Sequence, residues 1–362
     1  MSDSLINKGD IAQHAAAESI DRSAYLPATP WLQLMLVCCL FALWGMAGNL
    51  NDILIAQFKK GFDLSDTQTA LVQSIFFLGY FVMALPAAAV IKRYSYKVAI
   101  VIGLCLYALG CFLFIPAAQI MTYGAFLACL GVIATGLSFL ETSANTYSSL
   151  LGPLETSTQR INFSQIFNSL GIIFGVLIGQ QLVFGKNDPS HAELLQMPPA
   201  AAEAARTQMV SQVVTPYLII GSALIVLALI FVAVKFPACK TQRSHQGAGK
   251  PLMQSLKILL ALPRFRLGVL SQFLYVGAQV GLWSFTIRFV QMIEQGATEH
   301  SATYWLLATL VCYSAGKVVT TALMKKFSPA RLLGVFCSVC VLLLLLAVNI
   351  QSLLAVVAIM GV

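Results

Sequence analysis

Apolar runs too long for a soluble domain recur along this chain of 362 residues. The first, WLQLMLVCCLFALWGMAGNLNDILIAQF, fills residues 31–58. A helix needs about 20 mainly apolar residues to cross a bilayer. In lipid, each backbone N–H and C=O must be paired inside the protein, which a helix does with its own bonds. Crossing helices are therefore expected at 31–58, 69–91, 98–118, 123–150, 160–184, 215–236, 267–293, 302–324 and 331–350. A tenth run, 351–362, is about half a crossing long. The expected fold class is an all-α integral membrane protein. Composition agrees, with 58% hydrophobic residues, 10% charged and a mean hydropathy of +0.82. Soluble domains carry about 25% charged residues.

The runs divide at KFPACKTQRSHQGAGKPLMQSLK, the longest basic loop. Residues 1–30 are read as a cytoplasmic tail, 31–236 as a six-helix bundle, 237–266 as a basic cytoplasmic linker and 267–362 as an incomplete second bundle. Six spans, a basic loop and a second set resemble the two-halved major facilitator architecture. On that resemblance the chain is expected to be truncated within span ten. Lys and Arg set the orientation, because cytoplasmic loops hold the excess. With the N-terminus inside, 16 of these residues fall in cytoplasmic segments, four (Lys59, Lys60, Lys186 and Arg206) outside, and Arg288 and Lys317 within spans. The net charge of +8 is thus a property of membrane loops, not of a nucleic-acid-binding stripe. Eight of the nine cysteines lie inside apolar runs, where they act as small apolar residues. The C-x-x-C of Cys337 and Cys340 is among them, so no metal or redox site is expected.

Two acids stand in these runs, Asp52 and Glu141. Ionisable groups at membrane depth are costly and mark ion or substrate pathways. Asp52 is 21 residues past Trp31 on an outward-running helix, near its outer side. Glu141 is 18 residues past Tyr123 on an inward-running helix, in the inner half. Burial raises a carboxyl pKa and water lowers it, so an acid that changes surroundings can load and release a proton. Polar residues accompany both acids. Asn49 and Asp52 share a helix face; Glu141 and Asn145 are one turn apart, with Ser138 a turn earlier; Gln165 and Asn168 share a face of span five. Amides suit sugar hydroxyls, and Trp44 and Trp283 could face the C–H surface of a sugar. Each amide has an alternative role as a bond between neighbouring helices, and Asp52 has one as an outer residue facing water. Arg288 and Lys317 are possible cavity charges. Gly171, Gly175 and Gly179, spaced by four, would let helix backbones approach closely.

The segments FALWGMAGNLNDILIAQF, QSIFFLGYFVMALPAAAVIKRYSYK, GLSFLETSANTY, INFSQIFNSLG, VVTPYLII, KFPA and SQFLYVGAQVGLWSFTIRF together resemble the fucose–galactose–glucose:proton symporter family of the major facilitator superfamily. The resemblance implies import of L-fucose or a similar hexose with protons. It implies that Asp52 and Glu141 are essential carboxylates of a cavity, that Asn49, Gln165 and Asn168 are its amides, and that Trp44 and Trp283 line it. A glucose/galactose:proton symporter is the nearest alternative. A non-transporting sensor on the same fold is a second, and an enzyme is not expected. The expected partners are a small sugar, protons and the bilayer, with no cofactor and no nucleic acid. The chain is expected to act as a monomer in the bacterial inner membrane.

Overall fold

The computed structural model describes residues 24–62, 64–182, 193, 196–239, 252–293, 299–350 and 357. Among these, all regular structure is helical. The first half contains α1 (Trp31–Gly61), α2 (Asp66–Arg93), α3 (Tyr96–Phe112), α4 (Phe114–Ile120), α5 (Tyr123–Leu150), α6 (Ser157–Leu182), α7 (Pro199–Gln212) and α8 (Val214–Ala233). The second contains α9 (Leu252–Ala261), α10 (Pro263–Ile293), α11 (Glu299–Leu323) and α12 (Pro329–Asn349). The stretch 237–266 read as a linker thus carries α9, and α10 starts at Pro263. The tenth run, 351–362, lies outside the described residues except for residue 357.

Local chemistry sets the helix ends. Ser65 and Gln68 form a capping box at the start of α2, and Lys92 and Arg93 stand in its last turn, beside carbonyls that lack helical partners. Span three is broken between α3 and α4, where Pro116 has no N–H to offer the Phe112 carbonyl. The same effect separates α7 from α8, because Pro216 cannot bond to the Gln212 carbonyl. The helix α7 occupies the polar segment expected to lie outside, and it runs almost directly into span six.

The first half packs around α5, which touches α1, α2, α3 and α6. Its interior is a continuous apolar cluster that includes Phe41, Leu54, Tyr107, Ile133, Leu137 and Leu224. Large apolar side chains also cover the outside: Phe81 is 80% exposed, Leu229 64% and Phe273 74%. In a chain with these crossing helices, lipid is the solvent that suits such a surface. Aromatic residues gather at both ends of α5. At its start, Phe58 lies 4.9 Å from Phe126, and Phe114 stacks on Tyr217 at 4.1 Å. At its finish, Tyr147 stacks on Tyr96 at 5.0 Å and donates to the Pro237 carbonyl at 2.6 Å. Rings of this kind suit the two interfacial levels of a bilayer. Lys97 donates to the Val232 and Val234 carbonyls at 2.9 Å each, which caps the end of α8.

Two helix pairs approach at backbone distance. A Cβ added to Gly171 of α6 would collide with the Ala42 carbonyl of α1, and one on Gly45 of α1 would collide with the Asn168 carbonyl of α6. Gly103 of α3 and Gly136 of α5 face each other in the same manner. Helices associate in lipid through such close packing, since apolar burial gives no preference for protein over lipid. Gly175 is also buried, whereas Gly179 has surroundings outside the described residues.

Gly171→Ala should therefore lower stability by about 1–3 kcal/mol, the usual cost of overpacking. Gly334→Ala, where an added Cβ meets nothing within 4 Å, is the neutral control. Thermal unfolding of the detergent-purified variants checks both, and equal midpoints would refute the backbone contact.

Candidate functional site

The close pairing of α1 with α6 brings the polar turn of α6 against the middle of α1, and α5 closes the third side. A narrow crevice between α1 and α5 is lined by Leu40, Phe41, Trp44, Leu140, Glu141 and Ala144. Glu141 and Trp44 are both half-buried there. The Trp44 ring lies 6.2 Å from that of Phe41, so the indole is held by packing on its own helix.

The polar residues around the crevice connect to one another. Asn145 Nδ2 donates to the Glu141 carbonyl one turn back on α5, at 3.1 Å. This leaves Asn145 Oδ1 facing α6, where it accepts from Gln165 Nε2 at 3.2 Å. The Gln165 carbonyl in turn accepts from Lys317 Nζ of α11 at 3.5 Å. Asn168, one turn beyond Gln165, is buried and donates through Nδ2 to the Phe41 carbonyl at 3.3 Å. That bond joins α6 to α1, the helix-bridging role open to any membrane amide. Ser138 donates to the Tyr80 carbonyl at 3.1 Å and so ties α2 to α5 one turn before Glu141.

The Glu141 carboxylate differs chemically from these groups. Hydroxyls and amides in the spans can donate to a carbonyl of their own helix. Thr135, Ser143 and Asn145 all do so over four residues. An ionised carboxylate only accepts, and the N–H groups in the middle of a helix are already bonded. It must receive a donor from outside its own backbone: a proton, a side chain of another helix or a ligand hydroxyl. The crevice gives it both apolar walls and an indole face.

The structure thus brings together Trp44, Glu141, Asn145, Gln165, Asn168 and Lys317 of the residues singled out in the sequence. Asn49 and Asp52 lie on α1, and Trp283 and Arg288 on α10, with side chains outside the described residues. Tyr80 was not apparent from sequence. Its hydroxyl is buried and lies near the Trp44 indole and Glu141. A tyrosine inside QSIFFLGYFVM gives no sign of this, because only the packing of α2 on α5 turns it inward. The Gln165–Lys317 contact was equally hidden, since it joins positions 152 residues apart.

Known proteins are similar to this chain over most of its length. The Major Facilitator Superfamily model matches residues 26–362. The L-fucose-proton symporter of Escherichia coli (strain K12) is 38% identical over 336 residues, which are 92% of this chain and 77% of that protein. A glucose/galactose transporter of Brucella abortus is 34% identical over 318 residues, 85% of this chain and 71% of that protein. Among solved structures, FucP, a Major Facilitator Superfamily transporter in the outward conformation, superposes with a TM-score of 0.80 at 38% identity. That match covers 91% of this chain and 81% of FucP. On sequence and on fold alike, the chain belongs to the Major Facilitator Superfamily.

Proposed function

We propose that this protein is a proton-coupled sugar symporter that imports L-fucose or a similar hexose by alternating access. The observation that carries the reading is the half-buried Glu141 carboxylate beside the Trp44 indole, with the Asn145 amide one turn away and the Gln165 amide of α6 bonded to it. A hexose offers hydroxyl donors for the carboxylate and an apolar C–H face for the indole. A 6-deoxyhexose adds a methyl group to that face. The relatives named as an L-fucose-proton symporter and a glucose/galactose transporter support the same substrate class. The first is the more similar, which favours L-fucose, and the second makes a glucose/galactose substrate the runner-up.

In this reading Asp52 carries the transported proton, and Glu141 binds sugar hydroxyls and senses protonation. Asn49, Gln165, Asn168 and Trp283 complete the sugar site, with protons as the coupling ion and no other cofactor. Arg288 is a cavity charge. Asn168 has one donor on the Phe41 carbonyl and keeps Oδ1 for a ligand. In this reading the protein works as a monomer, with the whole proposed site in one chain. The excess of Lys and Arg in alternate loops supports a cytoplasmic N-terminus in a bacterial inner membrane.

Uptake into liposomes with an imposed proton gradient tests the reading. L-Fucose should accumulate, galactose should follow less well, and accumulation should vanish when the gradient is collapsed. Accumulation of glucose but not L-fucose would reassign the substrate, and uptake indifferent to the proton gradient would remove the coupling.

Asp52→Asn should abolish uphill accumulation while sugar binding persists, because the amide copies the shape of the protonated acid. Undiminished accumulation would exclude Asp52 as the proton carrier. Glu141→Gln should change sugar affinity and its pH dependence together, as read by calorimetric titration at several pH values. A variant unchanged in both would leave Glu141 a structural role. Gln165→Ala removes the bond to Asn145 and one sugar donor. At about 0.5–1.5 kcal/mol per bond, L-fucose binding should weaken roughly tenfold.

A further inference from the structure

The two halves touch where α6 of the first meets α11 of the second. Among the described residues, two side chains bond across the contact. Gln159 Nε2 donates to the Thr321 carbonyl at 3.4 Å, and Lys317 Nζ donates to the Gln165 carbonyl at 3.5 Å. Moving along α6 from 159 to 165 corresponds to moving back along α11 from 321 to 317. The helices are therefore antiparallel here, and the two bonds are successive rungs. Both rungs lie near the start of α6 and the end of α11, which is the inward end in the proposed orientation.

Lys317 is an unusual choice for such a rung. A half-buried ammonium loses hydration, and an amide like that of Gln159 could make the same bond. Two features compensate. The Tyr313 ring, one turn earlier on α11, lies 4.1 Å from Nζ and faces the cation. The Gln165 carbonyl gives it a long, charge-assisted contact at 3.5 Å. Only the second contact crosses between the halves. If they separate, Tyr313 travels with Lys317 and continues to shelter the charge, while the Gln165 bond is lost. The arrangement suits a contact that must break and re-form.

Gln165 links this rung to the site. Its backbone holds Lys317, and its side chain holds Asn145, which bonds to the Glu141 carbonyl. We propose that Lys317 is a positioning residue that latches the inward ends of the two halves together and fixes Gln165 beside Asn145 and Glu141 while they are closed. The proposal rests on the alternating-access reading above for its purpose, but not for its test.

The test is the distance between spin labels on the inward ends, at Glu155→Cys and Lys326→Cys, with the nine native cysteines replaced by alanine. Both positions are exposed. Without sugar, the parent should show mainly the short distance. Lys317→Met should raise the ratio of long to short distances about tenfold, the effect of losing a charge-assisted bond. Lys317→Arg, which keeps the cation, should restore the short distance and show that the background tolerates substitution there. An unchanged distribution in Lys317→Met would overturn the latch. Equal opening in both variants would assign the contact to packing and overturn the role of the cation. The measurement needs no substrate, so a protein that accumulates no sugar would refute the transport reading while the distances still decide the latch.

Discussion

In lipid, a polar group that lacks a partner within the protein has none, and the arrangement of this molecule follows from that constraint. Most polar side chains in the spans meet it locally. Thr135, Ser143, Asn145 and Thr321 each donate to a carbonyl four residues back on their own helix. Others meet it across helices, as Asn168 does with Phe41 and Ser138 with Tyr80. Such bonds contribute about 1 kcal/mol or less each, but they fix which faces of the helices meet. Glu141 cannot use the first route while it is ionised, because a carboxylate only accepts. It needs a donor from another helix, a proton or a ligand, and this makes it the chemical centre of the crevice.

Close packing gives the centre its shape. Gly45 and Gly171 let α1 and α6 approach until their backbones touch. The approach puts Trp44 and Phe41 of α1 on one wall of the crevice and Glu141 of α5 on the other, with Gln165 and Asn168 of α6 bonded to α5 and α1. A side chain at either glycine would separate the helices and undo the Phe41–Asn168 bond. The first half is thus held by backbone contact, whereas among the described residues two side-chain donors, on α6 and α11, bond across the halves.

The sequence displays the span positions and the acids because both are local properties. A run such as FLACLGVIATGLSFL is apolar wherever it packs, and an acid within it is costly in any fold. Glu141 and its turn-mate Asn145 could be paired from helical periodicity alone. The breaks before Pro116 and Pro216 were less visible, because proline often kinks a membrane helix without dividing it. Tyr80, and the true partners of Asn168 and Lys317, could not be read at all. A tyrosine, an asparagine or a lysine in a span is compatible with several neighbours, and its choice depends on helices far away in sequence.

Hydropathy, the placement of Lys and Arg, and the motif segments by themselves determined that this chain is a helical membrane protein with polar residues in its spans. They did so because the transfer of side chains into lipid is additive along a chain and needs no knowledge of contacts. Which polar residues meet was decided only by tertiary structure. The glycine contacts turned Asn168 towards Phe41, the packing of α2 brought Tyr80 near Glu141, and the meeting of α6 with α11 gave Lys317 the Gln165 carbonyl. Hydrogen bonds and ring contacts act over a few ångströms, so they follow from how helices are rotated and spaced, and sequence periodicity does not specify that.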